Sequence, residues 1–413
     1  MLKKSKKNID KIIITGQMLR GDCFSCEWIY RLFKYALEEV TGLPIYCTTI
    51  PISSNANKND FIQVKIDEIY KNYEISFKYT NKDDYFWSTN WAKLYYNTEY
   101  NEKAYEYIYS IFKNALVISY EVEDLMSAIF DYYNIPQIEI NLDPIRFLED
   151  IMLCFKTKNK KVYQQLLKYR VDEEYLYLSA NYLKTSQIFS GSRHYTNERN
   201  VLFLGQTSCD KTLVDKKNGQ IYSILNHKDE FKKAISGFDN ILYKRHPLAR
   251  NDEEILEYIK SLGNVKIIDD NFYKLLSRDD IAKVVSISSG TCSEAKYFGK
   301  DVQILLKEGV PRQTENKFNS EKYISIYQDF FSLNFWSEVL SPLVKTKKYK
   351  KELTIAGAKN KLRNSRTGYS VYYAYEDFDH IAGSKLVENK LKDKIIKSFM
   401  LQDILREDIE DDD

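Results

Sequence analysis

Short apolar runs that suit buried strands alternate with amphipathic helical segments along both halves of the chain. The first unit has a β-branched run at 11–15, a helical apolar period that begins at Phe24, and a further apolar run at 45–50. The same alternation resumes at 115 and again at 200. Strands that alternate with helices form parallel sheets covered on both faces. We therefore predict an α/β protein with two doubly wound, Rossmann-like domains that face a cleft.

The chain has 413 residues, a length that favours two domains over a single core. We predict an N-terminal domain at 1–190, a second domain at 191–345, and a C-terminal helical extension with an acidic tail at 346–413. Within the first domain, the pattern predicts a helix at 143–150, and it predicts a helical link between the halves at 155–195.

The charge balance excludes one class of partner. The sequence has 61 basic and 59 acidic residues, whereas nucleic-acid-binding proteins usually carry a basic excess. We predict neither a membrane-spanning helix nor a signal peptide, because the apolar runs are too short for both. The lysine cluster at 345–352 suits a solvated surface, and peripheral contact with the inner face of an anionic membrane is the alternative.

Cysteine usage indicates the compartment. Six scattered cysteines suit a reducing environment, so we predict a cytoplasmic protein. Cys23 and Cys26 form one C-x-x-C pair, which is read either as two residues of a first helical turn or as a zinc or redox motif.

Polar residues follow the predicted strands of the first half. Arg20 and Asp22 follow the first strand, and Glu121 follows the apolar run ALVISY at 115–120. Ligands bind at the carboxyl ends of parallel strands. We therefore predict Arg20 and Asp22 as substrate-binding residues and Glu121 as a catalytic carboxylate. A capping role at the next helix is the alternative for both acids.

In the second half, Lys244, Arg245 and His246 follow a predicted strand, and Pro247 ends the run. Pro247 biases the residue before it towards extended geometry. A positioned imidazole can protonate or hydrogen-bond a leaving phosphate. The alternative for His246 is a structural residue at a strand end.

A hydroxyl-rich turn follows a later strand of the same half. It contains Ser288, Ser289, Gly290 and Thr291, and a predicted helix continues through Glu294. Hydroxyls and amide N–H groups at a helix N-terminus favour an anion by geometry and by the helix dipole. An ordinary N-cap is the alternative. Together with the cations of the previous strand end, the turn predicts a phosphate site.

These motifs resemble those of a known enzyme family. KRHP at 244–247 and SSGTCSEAKYFGK at 288–300 resemble the His-Pro and Ser-Ser motifs of bacterial GT-B transferases that use CMP-activated ulosonic acids. That group includes the β-Kdo transferases of capsule and lipopolysaccharide O-antigen assembly and several sialyltransferases. LGQTSCD at 204–210 is similar to their Gly-Gln loop with a downstream Asp. SYE at 119–121, followed by DPIRFLED at 143–150, is similar to their N-terminal half.

The resemblance implies the GT-B architecture and transfer of Kdo from CMP-Kdo to a saccharide acceptor of capsule or O-antigen, as a β-linkage with retention. Asp210 would face the anomeric centre, as nucleophile if configuration is retained or as base if it is inverted. Glu121 would act on the acceptor hydroxyl, and Arg146 would bind substrate. His246 would be a catalytic residue that holds the leaving phosphate. The other residues expected at the donor are Gln206, Lys244, Arg245, Ser288, Ser289, Gly290, Thr291 and Glu294.

No D-x-D motif follows a predicted strand, so we expect no metal, and no cofactor beyond the CMP-sugar donor. The implied partners are that donor, an oligosaccharide or glycolipid acceptor, and other polysaccharide-assembly enzymes. Two alternatives remain. A sialyltransferase that uses CMP-N-acetylneuraminic acid would share these motifs, and a non-catalytic polysaccharide-binding protein would suit the 34 tyrosines.

Overall fold

The computed structural model describes most of the chain and omits the predicted extension almost entirely. Arg20, Asp22, Cys23, Glu149 and Pro247 lie outside the described residues, so the predictions that concern them stay predictions. The described ranges are 9–19, 24–49, 59–75, 91–148, 150–188, 197–206, 210–246, 252–306 and 310–349.

The first half of the chain builds a sheet of mainly parallel strands. Its core strands are continuous apolar runs, as expected when both faces of a strand are buried. The elements in chain order are β1 (Lys11–Gly16), α1 (Phe24–Thr41), β2 (Ile45–Thr49), β3 (Phe61–Gln63), α2 (Ile66–Asn72), α3 (Ala92–Tyr95), α4 (Glu102–Phe112), β4 (Ala115–Tyr120), α5 (Asp124–Tyr132), β5 (Gln137–Leu142) and β6 (Leu153–Lys156).

The second half repeats the pattern after two connecting helices. Its elements are α6 (Lys160–Leu167), α7 (Glu173–Gln187), β7 (Asn200–Leu204), a 3-10 turn (Lys211–Leu213), β8 (Val214–Asp215), β9 (Gln220–Ile221), α8 (Lys228–Ile235), β10 (Asn240–Lys244), α9 (Glu253–Lys260), β11 (Val265–Ile267), α10 (Phe272–Leu276), β12 (Ile281–Ser286), α11 (Thr291–Ala295), a 3-10 turn (Lys296–Phe298) and β13 (Asp301–Ile304). The last described elements are β14 (Ile324–Ile326), a 3-10 turn (Asp329–Phe331) and α12 (Leu333–Leu340).

Both main sheets have the strand order of a doubly wound fold. The first runs β14-β6-β5-β4-β1-β2-β3, and the second runs β11-β10-β7-β12-β13. Every pairing in the second sheet is parallel, whereas in the first sheet β6 pairs with β5, and β14 with β6, in antiparallel fashion. The order reverses between β1 and β4 and between β7 and β12. The prediction of two Rossmann-like α/β domains is confirmed.

The predicted helix at 143–150 is wrong. Between β5 and β6 the chain forms an irregular connection, in which Asp143 N–H donates to Met152 O at 3.1 Å. The carboxylate of Asp143 accepts the N–H of Ile145 at 2.8 Å. Such local side-chain to backbone bonds compete with helix formation. The predicted link at 155–195 is helical in α6 and α7, but it begins within strand β6.

The boundaries between the domains also differ from the prediction. Strand β14 pairs with β6 of the first sheet, with Ile324 opposite Phe155. Helix α12 lies against α1 of the first domain, where the rings of Trp336 and Phe33 are 4.8 Å apart. Residues 324–340 therefore belong to the first domain, although the sequence assigned them to the second. Apolar periodicity shows that an element is buried but does not show which element covers it.

Helix α7 shows the reverse exchange, because it comes from the predicted first domain and packs on the second. Leu176, Ala180 and Leu183 are buried in the same core as Leu202 of β7 and Tyr273 of α10. The helix was predicted to end the first domain, yet it packs on the second. The chain thus passes between the domains before α7 and again before β14.

The lysine cluster at 345–352 is described through residue 349. Lys347 pairs with Glu39 of α1 at 3.0 Å, and its N–H donates to Val40 O at 2.9 Å. Tyr349 donates to the same Glu39 carboxylate at 2.6 Å. This part of the cluster therefore contacts the first domain. Among the helices that the structure describes, none combines the length and apolarity needed to cross a bilayer.

Candidate functional site

The loops after β7 and β12 meet at the point where the second sheet reverses direction. In sheets of this type, a ligand binds in the crevice between those two strand ends. Gln206, which follows β7, accepts the N–H of Ser288 at 2.6 Å. Its amide nitrogen donates to the Ser288 hydroxyl at 2.9 Å. Two predicted donor-site residues that are far apart in the sequence are therefore bonded directly to each other.

The Ser288 hydroxyl extends this contact to the segment that follows β7. It donates to the hydroxyl of Thr212 at 2.9 Å, and Thr212 N–H donates to Asp210 at 2.9 Å. Asp210 is the N-cap of the 3-10 turn Lys211–Leu213. The structure therefore places Asp210 within two hydrogen bonds of Ser288. The capping bond holds the Asp210 carboxylate in place.

His246 follows β10, is half-buried, and lies near enough to Asp210 to be affected by its charge. Burial lowers the pKa of its imidazole, and the charge of Asp210 opposes that shift. Burial therefore favours the neutral form of the imidazole. A neutral imidazole can donate one hydrogen bond to an anion and can take up a proton when that anion binds.

The hydroxyl turn at 288–291 has its own network. Ser289 N–H donates to the Ser286 hydroxyl at 3.1 Å, and the hydroxyls of Ser289 and Thr291 lie 2.6 Å apart. Helix α11 is only five residues long, so its dipole is small. An anion at this turn would therefore be bound mainly by hydroxyl and amide groups, and the helix dipole would contribute little.

The two cations of the KRHP motif are engaged within their own domain. Lys244 donates to the carbonyl of Asp270 at 2.6 Å. Arg245 pairs with Asp252 at 3.1 Å, and the same carboxylate accepts the Tyr243 hydroxyl at 2.9 Å. These contacts hold the end of β10 in place. The predicted contact of Lys244 and Arg245 with a donor stays a prediction.

Gly290 lies at a contact between the domains. A Cβ atom on Gly290 would lie 3.1 Å from Cβ of Pro144, which is too close for most side chains to fit without a shift. The glycine therefore allows the hydroxyl turn to approach the first domain.

Glu294 joins the domains at the same place. Its side chain is fully buried, and Oε1 accepts the N–H of Arg146 at 2.7 Å and the Tyr273 hydroxyl at 3.0 Å. Burial raises the pKa of this carboxyl to about 7. These contacts account for Glu294 as a link between domains, whereas the sequence predicted it at the donor. They involve the backbone of Arg146, and the predicted contact of its side chain with substrate stays a prediction.

Glu121 stands at the carboxyl end of β4, as predicted. Its backbone has a positive φ of 53°, and its N–H donates to Ile140 O at 3.2 Å. Its carboxylate pairs with Lys211 of the second domain at 3.1 Å. Lys211 is the residue after Asp210. The Glu121 carboxylate of the first domain therefore contacts the same turn of the second domain that carries Asp210.

Sequence reasoning missed Lys211, Thr212 and Glu123. The first two adjoin Asp210, so their position was a usable signal. Glu123 is fully buried where the first sheet reverses, and it accepts the N–H of Met18 at 3.2 Å. Burial raises the pKa of the Glu123 carboxyl to about 7. Only its place two residues after Glu121 could have indicated it.

A cavity of about 350 Å³ lies where the chain crosses between the domains. Residues 170–173 and 312–314 line it, and none of them is a predicted site residue. Arg312 at its wall pairs with Asp143 at 3.4 Å. We place the functional site at the strand ends, because the polar side chains of both domains converge there. Within the described ranges, no three His, Cys, Asp or Glu side chains are grouped as a metal ion would require.

Comparison with known proteins gives structural likeness only. No protein-family model matches the sequence, and no curated protein matches it. The KpsC β-Kdo 2,7 transferase of Thermosulfurimonas dismutans aligns over 80% of this chain and 90% of its own, with 11% identity and a TM-score of 0.36. The KpsC β-Kdo 2,4 transferase of that organism aligns over 46% and 67%, with 16% identity and a TM-score of 0.27.

A sugar epimerase aligns over a larger share of the chain. The UDP-GlcNAc 2-epimerase of Neisseria meningitidis, solved with UDP-GlcNAc bound, covers 95% of this chain and 100% of its own, with 13% identity and a TM-score of 0.23. The strand orders of the two sheets establish the fold independently of these alignments.

Proposed function

We propose that this chain is a glycosyltransferase that moves Kdo (3-deoxy-D-manno-oct-2-ulosonic acid) from CMP-Kdo to a saccharide acceptor of a bacterial surface polysaccharide. One observation carries the proposal. Gln206, Ser288, Thr212 and Asp210 form a continuous hydrogen-bonded chain where the second sheet reverses. Gln206, Asp210 and Ser288 belong to motifs that resemble those of transferases using CMP-activated ulosonic acids.

The donor phosphate would lie against the hydroxyl turn and His246. Hydroxyls, amide N–H groups and an imidazole are all hydrogen-bond donors to a phosphate. A bound phosphate would raise the pKa of the imidazole, because a nearby negative charge favours the protonated form. His246 could then stabilise the charge that develops on CMP as it leaves.

In the proposed reaction, Asp210 acts at the anomeric carbon. With retention, its carboxylate forms a bond to that carbon while the bond from the carbon to the CMP oxygen breaks. The acceptor oxygen then attacks the same carbon, its proton passes to Glu121, and Asp210 is released as a carboxylate. With inversion, Asp210 instead takes the proton of the acceptor hydroxyl in a single displacement. The proposed product is a β-linkage formed with retention.

We propose an oligosaccharide or glycolipid of capsule or O-antigen as acceptor, and activity in the cytoplasm beside the enzymes that assemble the same polymer. Since Lys347 contacts Glu39, membrane contact through the lysine cluster would depend on its other members. We propose that no metal ion takes part.

A donor screen tests the function directly. The protein is incubated with CMP-Kdo, CMP-N-acetylneuraminic acid and UDP-GlcNAc, and nucleotide release is followed by NMR. We expect CMP to be released fastest from CMP-Kdo, and we expect no UDP release. Faster release from CMP-N-acetylneuraminic acid would identify a sialyltransferase. Stability of all three donors, with and without saccharide acceptors, would contradict an enzymatic function.

A further inference from the structure

The segment 210–221, here called the arm, begins with three successive residues that interact with three different elements. Asp210 lies close enough to His246 to influence its pKa. Lys211 pairs with Glu121 at 3.1 Å, and Thr212 accepts the hydroxyl of Ser288 at 2.9 Å. Lys211 thus links the predicted acceptor carboxylate of the first domain to the turn that carries the rest of the site.

The pair between Lys211 and Glu121 is largely removed from water. The two side chains are 12% and 16% exposed, respectively. Exposed ion pairs contribute little because solvent screens them and their side chains stay mobile. A pair this shielded interacts more strongly, and removal of one partner leaves the other charge poorly solvated. The orientation of the Glu121 carboxylate therefore depends on Lys211.

The backbones on both sides of the pair are fixed. Glu121 has φ of 53°, donates its N–H to Ile140 O at 3.2 Å, and lies at the end of a fully buried strand. After Lys211, Leu213 is buried in the core of the second domain, whereas Val214 is buried in a core of the first. Lys211 therefore has little freedom to leave Glu121 by movement of the chain.

The hairpin formed by β8 and β9 packs the same arm against the first domain. A Cβ on Gly219 would lie 3.0 Å from Cα of Lys93, and the ammonium of Lys216 lies 4.6 Å from the ring centre of Tyr96. The arm at 210–221 thus contacts both domains along its length. The turn at its start is positioned by packing as well as by the ion pair.

We infer that Lys211 is a positioning residue of the transferase, which holds the Glu121 carboxylate beside Asp210 in the orientation needed to accept the proton of the acceptor hydroxyl. The inference rests on the proposed function. Lys211 acts through Glu121, so its contribution to turnover should disappear when Glu121 can no longer serve as a base. A lysine that merely supported the fold would contribute whether or not Glu121 was present.

The test is a double-mutant cycle on turnover. Lys211→Met should lower kcat roughly tenfold or more, because contacting residues are coupled. Lys211→Arg should recover part of the lost kcat, because arginine keeps the positive charge. Affinity for CMP, measured by calorimetry, should be unchanged in Lys211→Met, since Ser288, Gln206 and His246 are intact. In the Glu121→Gln background, Lys211→Met should cause no further loss of kcat. Lys217→Met, at an exposed position of the same arm, is the matched control and should keep wild-type kcat.

Three results would overturn the inference while leaving the function intact: wild-type kcat in Lys211→Met, independent losses that multiply in the double variant, or a CMP affinity that falls together with kcat. If the wild-type protein turned over no donor, the proposed function would fail instead. The positioning contact would then be tested by the same cycle on the free energy of unfolding. Non-additivity there would support it, and additive effects would overturn it.

Discussion

Replacing Asp210 or His246 with alanine is expected to lower turnover of the CMP-sugar donor by roughly a hundredfold or more, the scale of a positioned acid–base or nucleophilic group. The Asp210 carboxylate is held by Thr212 N–H, and its charge acts on the imidazole of His246. In the proposed mechanism, either substitution removes a group that would act on the reacting atoms, and it leaves the cores of both domains untouched. Donor turnover is measured by NMR, and the melting temperature is measured in parallel.

Two matched variants control for general damage to this domain. His227→Ala removes a histidine that stacks on Tyr222 at 3.8 Å, and Asp229→Ala removes an exposed acid in the first turn of α8. Both should keep turnover close to that of the wild type. Full turnover in Asp210→Ala and in His246→Ala would remove the mechanism. A fall in melting temperature of many degrees in either variant would instead assign it a structural role.

Replacing Trp336 with alanine is expected to lower the free energy of unfolding by about 3–5 kcal/mol, the usual cost of removing a large buried aromatic side chain. Trp336 is fully buried, and its indole N–H donates to Phe330 O at 2.8 Å. Its ring lies 4.8 Å from that of Phe33 in α1 and 6.2 Å from that of Phe155 in β6. We expect this fall in the free energy of unfolding because α12 completes the core of the first domain. The measurement is urea unfolding followed by fluorescence and circular dichroism.

Tyr182→Ala is the control, because that ring is 73% exposed on α7. It should change the free energy of unfolding by about 0.5 kcal/mol or less. A similarly small change in Trp336→Ala would mean that α12 does not pack on the first domain. The assignment of residues 324–340 to that domain would then be wrong.

The sequence predicted elements whose cause is local. The runs ALVISY and NVLFL became β4 and β7, since continuous apolar residues of strand length suit a strand buried on both faces. The predicted period from Phe24 became α1. Elements defined by a distant partner were not assigned correctly. Residues 324–326 pair with a strand about 170 positions earlier in the chain, and no local pattern specifies that partner.

In the candidate site too, the sequence indicated some residues, whereas other contacts depend on how distant parts of the chain meet. The family resemblance predicted Gln206 and Asp210 at the same site as the Ser288 turn, and hydrogen bonds through Thr212 join the three residues. Glu294 was placed at the donor because it belongs to the same motif, yet its carboxylate is directed to the backbone of Arg146. The contact of Lys211 with Glu121 joins residues 90 positions apart in different domains, so it depends on how the domains meet.

We expect the second domain to bind a cytidine phosphate between His246 and the hydroxyl turn. The most direct test of this binding is the melting temperature with CMP or UDP added at about a hundred times the expected dissociation constant. A ligand at that excess adds about 2.7 kcal/mol to the stability of the state that it binds. CMP should raise the melting temperature by a few degrees, UDP should leave it unchanged, and Ser288→Ala should reduce the CMP shift. Equal shifts with both nucleotides, or no shift with either, would contradict this expectation.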